Sequence, residues 1–143
     1  MIAGTFAYGP MDRIFGTRKW IIFIGSSLSL VSLISLALFN EISFNVAVLL
    51  FCTLGFFGMS YPLMIAHGRS FSPENLTGRC VTLLNMFAIG GVGIFQFLTG
   101  RIFSKLTEVH NNNHEAYTII FLFYASALFL GLILYLKSKD RLD

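Results

Sequence analysis

The residues able to do chemistry are few and lie scattered among long apolar runs. His110 and His114 stand four apart, a spacing that would put two imidazoles on one face of a helix and within reach of one metal ion. They flank Asn111-Asn112-Asn113, which favours an open loop, and nothing supplies further convincing ligands, so solvated side chains and no metal are expected. His67 could handle a proton, but no carboxylate accompanies it, and a histidine at a membrane boundary is expected to be solvated. Cys52 and Cys80 sit in or beside apolar runs without a CxxC spacing, and read as small apolar side chains. Asn85 and Gln96 are eleven residues apart, which returns to nearly the same helix face. Two amides inside a membrane helix are costly unless they meet partners or water. They read either as hydrogen-bonding glue between helices or as the lining of a polar substrate path. Tyr61-Pro62 offers the same pair of readings, a pathway residue at a kink or a kink beside an interfacial tyrosine. No nucleophile–base pair, metal cluster or phosphate loop is apparent, and Gly90-Gly91-Val92-Gly93 lies inside an apolar run, so neither an enzyme nor a cofactor is expected.

The elements that must position these residues are read from composition. Hydrophobic residues make up 55% of the 143 and charged residues 12%, about half the usual charged share. Phe alone occurs 16 times. A soluble globule of this size has too much exterior to hide such a surface, whereas a bilayer solvates it. Four uncharged runs follow: 20–40, 42–66, 80–100 and 116–136. Each is long enough as a helix to cross roughly 30 Å of hydrocarbon. Ser26, Ser29, Ser32 and Ser35 recur every third residue of the first run and suit close helix contact, though a three-residue step drifts around the helix. Gly90, Gly91 and Gly93 would let helix backbones meet in near-contact in the third run. Residues 1–8 read as the end of a further helix, with Gly9-Pro10 breaking it. Asn40-Glu41 opens a short turn, and Pro62 should kink the second run. Ser72-Pro73-Glu74 has the form of a capped helix start.

Sidedness follows from charge. Loops 9–19 and 67–79 and the tail 137–143 fall on one side, with Arg13, Arg18, Lys19, Arg69, Arg79, Lys137, Lys139 and Arg141. The loop 101–115 on the other side carries only Arg101 and Lys105. Cytoplasmic loops collect Lys and Arg, so the first side, with the C-terminus, is expected in the cytoplasm and the chain in a plasma membrane, bacterial inner membrane being the expected case. A net charge of +3 without a basic–aromatic cluster gives no reason to expect nucleic acid.

The stretch Gly9, Asp12, Arg13, Gly16, Arg18, Lys19 resembles the signature loop of the major facilitator superfamily (MFS), which reads roughly Gly-x3-Asp-Arg-x-Gly-basic-basic. Gly9 lies one position closer to the Asp, one extra residue separates Asp12 from Gly16, and Thr17 takes a usual basic position. His67-Gly68-Arg69, Phe71-Ser72-Pro73 and Thr77-Gly78-Arg79, leading to Asn85 and Gly90-Gly91, resemble the tenth-to-eleventh helix region of bacterial members. The resemblance implies an all-α integral membrane fold, four complete transmembrane helices plus the end of a fifth, within the C-terminal half of an MFS-type bundle. It also implies a transporter fragment, from the end of the eighth helix through the twelfth, moving a small solute by alternating access and inactive without the N-terminal helices. Asp12, Arg13, Gly16, Arg18 and Lys19 would form a gating loop, and Tyr61, Asn85 and Gln96 would line the pathway. The expected partners are lipid, the remaining helices of the same or a separate chain, and an unidentified small solute with a proton as candidate coupling ion. The alternative is a small multi-pass scaffold or assembly subunit without transport activity.

Overall fold

The computed structural model describes residues 2–39, 43–110 and 113–141. The turn expected at Asn40-Glu41 and the centre of the asparagine run lie outside the described residues. Helices α1 (Ile2–Phe15), α2 (Lys19–Leu38), α3 (Phe44–Phe57), α4 (Tyr61–Arg69), α5 (Thr77–His110) and α6 (Asn113–Leu136) form an all-α bundle, with no strand among the described residues. Four spans, Lys19–Leu38, Phe44–Arg69, Glu74–Glu108 and His114–Leu136, are long and apolar enough to cross a membrane, the character of a multi-pass membrane protein.

α2 is the hub. It meets α6 most extensively and α3 next, while α5 lies against α6 and α4. Its buried face consists of Ile22, Gly25, Ser26, Ser29, Ser32 and Ala37, nearly all small. Small side chains let neighbouring helices approach closely where no hydrophobic effect drives them together. Ser32 Oγ donates to the Leu28 carbonyl at 3.0 Å, so its hydroxyl is satisfied within its own helix. Ser35 has drifted off this face and is only half-buried, as a three-residue step requires.

α1 corrects one expectation. Gly9-Pro10 does not end the helix, which runs on to Phe15. Pro10 removes a single backbone bond, and burial of Gly4 and Tyr8 against the rest of the bundle holds the axis. The chain turns at Gly16 instead. Its φ of +61° is left-handed, and its N–H closes on the Asp12 carbonyl at 3.0 Å, a helix stop that glycine adopts without steric cost. The loop expected at 9–19 therefore shrinks to the residues just after Phe15.

The second span is interrupted one turn before Pro62. Gly58–Ser60 winds as a 3₁₀ turn between α3 and α4, with Pro62 in the first turn of α4. Proline cannot bond back to the carbonyl four residues earlier, here Gly58, so its effect falls upstream of the ring. Ser72 does not cap α5: Pro73 is extended, Glu74–Leu76 forms a 3₁₀ turn, and the α-helix starts at Thr77. The loop expected at 101–115 is helical through His110, and α6 starts at Asn113. The 67–79 loop also shortens, because α4 runs to Arg69.

The glycines that pack are not the expected ones. Around Gly90, Gly91 and Gly93 nothing among the described residues comes within 4 Å of where a Cβ would stand. At Gly4 that position is 2.6 Å from the Phe56 carbonyl oxygen, and at Gly68 it is 2.7 Å from Leu84 Cδ1. At Gly25 it overlaps the Tyr8 hydroxyl.

Candidate functional site

The polar side chains converge at one end of the bundle, where α1 ends, α2 begins, and α4 and α6 end. The turn at Gly16 folds Arg18 back so that its Nε donates to Asp12 Oδ2 at 3.1 Å. The two side chains are 9% and 15% exposed, so this ion pair is largely removed from water. The start of α2 is capped by a residue from the far end of the chain. The N–H groups of Arg18 and Lys19 donate to Asp140 Oδ1 at 3.3 and 3.0 Å, and Thr17 Oγ1 donates to Asp140 Oδ2. The Trp20 N–H reaches Thr17 Oγ1 at 3.4 Å. A carboxylate here satisfies open backbone donors and faces the positive end of the helix dipole.

Lys19 returns the favour at the other helix. Its Nζ donates to the carbonyls of Leu136 and Ser138, at 2.8 and 2.7 Å, where α6 runs out of internal donors. The α2 N-terminus and the α6 C-terminus thus cap each other. Partial burial raises the Asp140 pKa, but the Thr17 hydroxyl and the Lys19 and Arg18 N–H groups outweigh it and hold the carboxyl below its ordinary value.

His67 corrects a second expectation. It is not solvated but 2% exposed, buried between the lower ends of α4 and α6. Its Nε2 lies 3.0 Å from the Lys139 carbonyl oxygen, which can only accept, so Nε2 carries the proton and donates. In the neutral ring Nδ1 then accepts from the Tyr135 hydroxyl at 2.7 Å. Phe71 and Tyr135 meet the imidazole edge-on, with ring centres at 5.2 and 5.6 Å. Sequence reading missed this cluster because its partners lie about seventy positions downstream. The one available signal was Asp140, an acid set between Lys139 and Arg141.

The expected gating loop is therefore brought together at Asp12, Arg18 and Lys19, with Gly16 making the turn, while Arg13 points outward and is exposed. Of the expected pathway residues, Tyr61 and Asn85 meet, and Gln96 lies eleven residues further along α5. The Tyr61 hydroxyl donates to Asn85 Oδ1, joining α4 to α5. Gln96 is exposed and borders an open cavity of about 370 Å³ with Gly91, Val92, Phe95 and Tyr124. Cys52 is exposed and Cys80 half-buried, both as free thiols. No group of three His, Cys, Asp or Glu residues is arranged to hold a metal among the described residues, and the His110 side chain lies outside them. No protein-family model, curated protein or solved structure matches this chain.

Proposed function

We propose that this chain forms part of the C-terminal half of an MFS-type secondary transporter, moving a small solute by alternating access. The observation that carries the reading is the Asp12–Arg18 ion pair, formed within the signature-like loop and largely buried at the end where the helices meet. Charge pairs that exist in one conformation and break in another set the balance between them. The transport reading also gives Gln96 a role. An amide on the open face of α5 is costly against lipid and is better placed against water or a solute. Four spans make one third of a twelve-helix fold, so the substrate site would be completed by helices beyond these four, on the same or a separate chain. Under this reading the basic end faces the cytoplasm of a cell with the chain in its plasma membrane.

The test uses the native membranes of the host, with Cys52 and Cys80 replaced by alanine and a single cysteine placed at Gln96. Alternating access predicts that a membrane-impermeant thiol reagent reaches position 96, and that Asp12→Asn changes the labelling rate severalfold. A multi-pass scaffold predicts one constant rate, unaffected at Asp12, and that result would reject transport. An epitope tag after Asp143 at the native locus reports in parallel whether the chain migrates alone or as part of a larger polypeptide.

A further inference from the structure

We propose that residues 137–141 act as a strap that locks the lower end of α4 to α2 and α6, with His67 as its catch, and that the strap must detach before α4 can separate from α6. The inference does not depend on the transport reading.

Three observations converge on it. The segment leaves α6 and meets α2, α4 and the turn just past α4 within five residues. Asp140 sits on the α2 N-terminus, the Lys139 carbonyl accepts from His67 on α4, and the Arg141 guanidinium lies 5.1 Å from the Phe71 ring centre, just past α4. The side-chain bridge between α4 and α6 runs through the same imidazole, which takes Tyr135 of α6 on one nitrogen and the strap on the other. α4 is also mechanically separable. The 3₁₀ turn at Gly58–Ser60 and the missing N–H of Pro62 divide it from α3, while Leu84 against Gly68 keeps it with α5. A short helix joined at a weak turn, anchored by Leu63 near its start and held at its far end by one buried, doubly bonded ring, can pivot at that far end between two positions. Moving it away from α6 breaks both imidazole bonds and strips the strap of its contacts with His67 and Phe71.

The strap carries its own reporters, because Lys137, Lys139 and Arg141 are trypsin sites. Cleavage needs several residues of extended, undocked chain, so a docked strap is protected by its own opening equilibrium. The experiment uses the full chain in membranes with the basic end exposed to protease. His67→Phe keeps an aromatic volume but loses both hydrogen bonds. It is expected to speed cleavage at Lys139 by about tenfold. His67→Gln can still donate to the Lys139 carbonyl and accept from Tyr135, and is expected to stay within about threefold of the parent. Tyr135→Phe, which removes one hydroxyl, keeps the test open if His67→Phe does not fold, and should fall between them. A spin-label pair at Arg69 and Lys137 then reads the lock itself. The parent should give one narrow distance, and His67→Phe a second, longer population. Equal cleavage of parent and His67→Phe, equal cleavage of the Gln and Phe variants, or an unchanged distance in His67→Phe would each overturn the proposal.

Discussion

Gly25→Ala tests the way α1 is held against the hub helix. The Cβ of an alanine at this position would fall well inside van der Waals contact distance of the Tyr8 hydroxyl, 3.3 Å from Tyr8 Cζ and 3.8 Å from the Phe57 carbonyl. Tyr8 is 3% exposed and packs with Ile22 and Leu63, while an open cavity of about 390 Å³ borders both Tyr8 and Gly25. Relief requires the Tyr8 ring to shift toward that cavity, giving up part of its packing, or α1 to move away from α2. Overfilling a tight contact of this kind costs about 1–3 kcal/mol. Replacing a mid-helix glycine returns about 1 kcal/mol of helix propensity, so the net loss should be about 0–2 kcal/mol. Tyr8→Phe removes the clashing oxygen and leaves the ring carbon at 3.3 Å, a contact that small shifts absorb. The Gly25→Ala/Tyr8→Phe pair should consequently show a favourable coupling of about 1 kcal/mol or more. Gly131→Ala, where nothing described lies within 4 Å, is the control and should be neutral or slightly stabilising. The sequence holds one tryptophan, Trp20, near the start of the hub helix, and its fluorescence can follow unfolding of the detergent-solubilised protein in SDS titrations. The reasoning fails if Gly25→Ala behaves like Gly131→Ala, or if Tyr8→Phe does not restore what Gly25→Ala loses.

Three further outcomes are expected. Asp12→Ala should destabilise by about 2–3 kcal/mol by removing the carboxylate from a largely buried guanidinium, and Arg18→Met in the same protein should recover part of the loss, as a thermal melt can show. Asp140 has a depressed pKa, so its contribution to strap docking is present above its ordinary value of 3.8 and is lost as pH falls through the lower folded value. A spin label at Lys137 should therefore become mobile only at strongly acidic pH in the parent, and already be mobile at neutral pH in Asp140→Asn, whereas equal mobility in the two at neutral pH would refute the cap. Leu substitutions at Gly90 and Gly93 should not destabilise the 143-residue chain in detergent, because no described neighbour opposes them. The same substitutions should impair any larger assembly in which α5 packs on further helices, read as loss of co-purification.

Much of the architecture was legible in the sequence because it is a solvent-matching problem. Uncharged runs of bilayer length must be helical, since backbone groups in hydrocarbon can be satisfied only within the segment, and the spans appear where charge is absent. Their ends were less legible. Composition cannot show that a helix continues past its uncharged run, as α5 does through Arg101–His110, or that burial of Gly4 and Tyr8 carries α1 through Gly9-Pro10. The Asp12–Arg18 pair lies within one turn of chain and follows from local spacing and a left-handed glycine. Asp140 on the α2 N-terminus, Lys19 on the α6 C-terminus and His67 between Tyr135 and Lys139 did not follow from it. Those contacts join residues 68 to 121 positions apart, and only the return of α6 beside α2 brings their backbone ends together. The glycines divide for the same reason. A glycine-rich run shows where a helix can be approached, whereas the single glycines at 4, 25 and 68 are needed because a particular neighbour arrives there, and that is decided by how the helices cross.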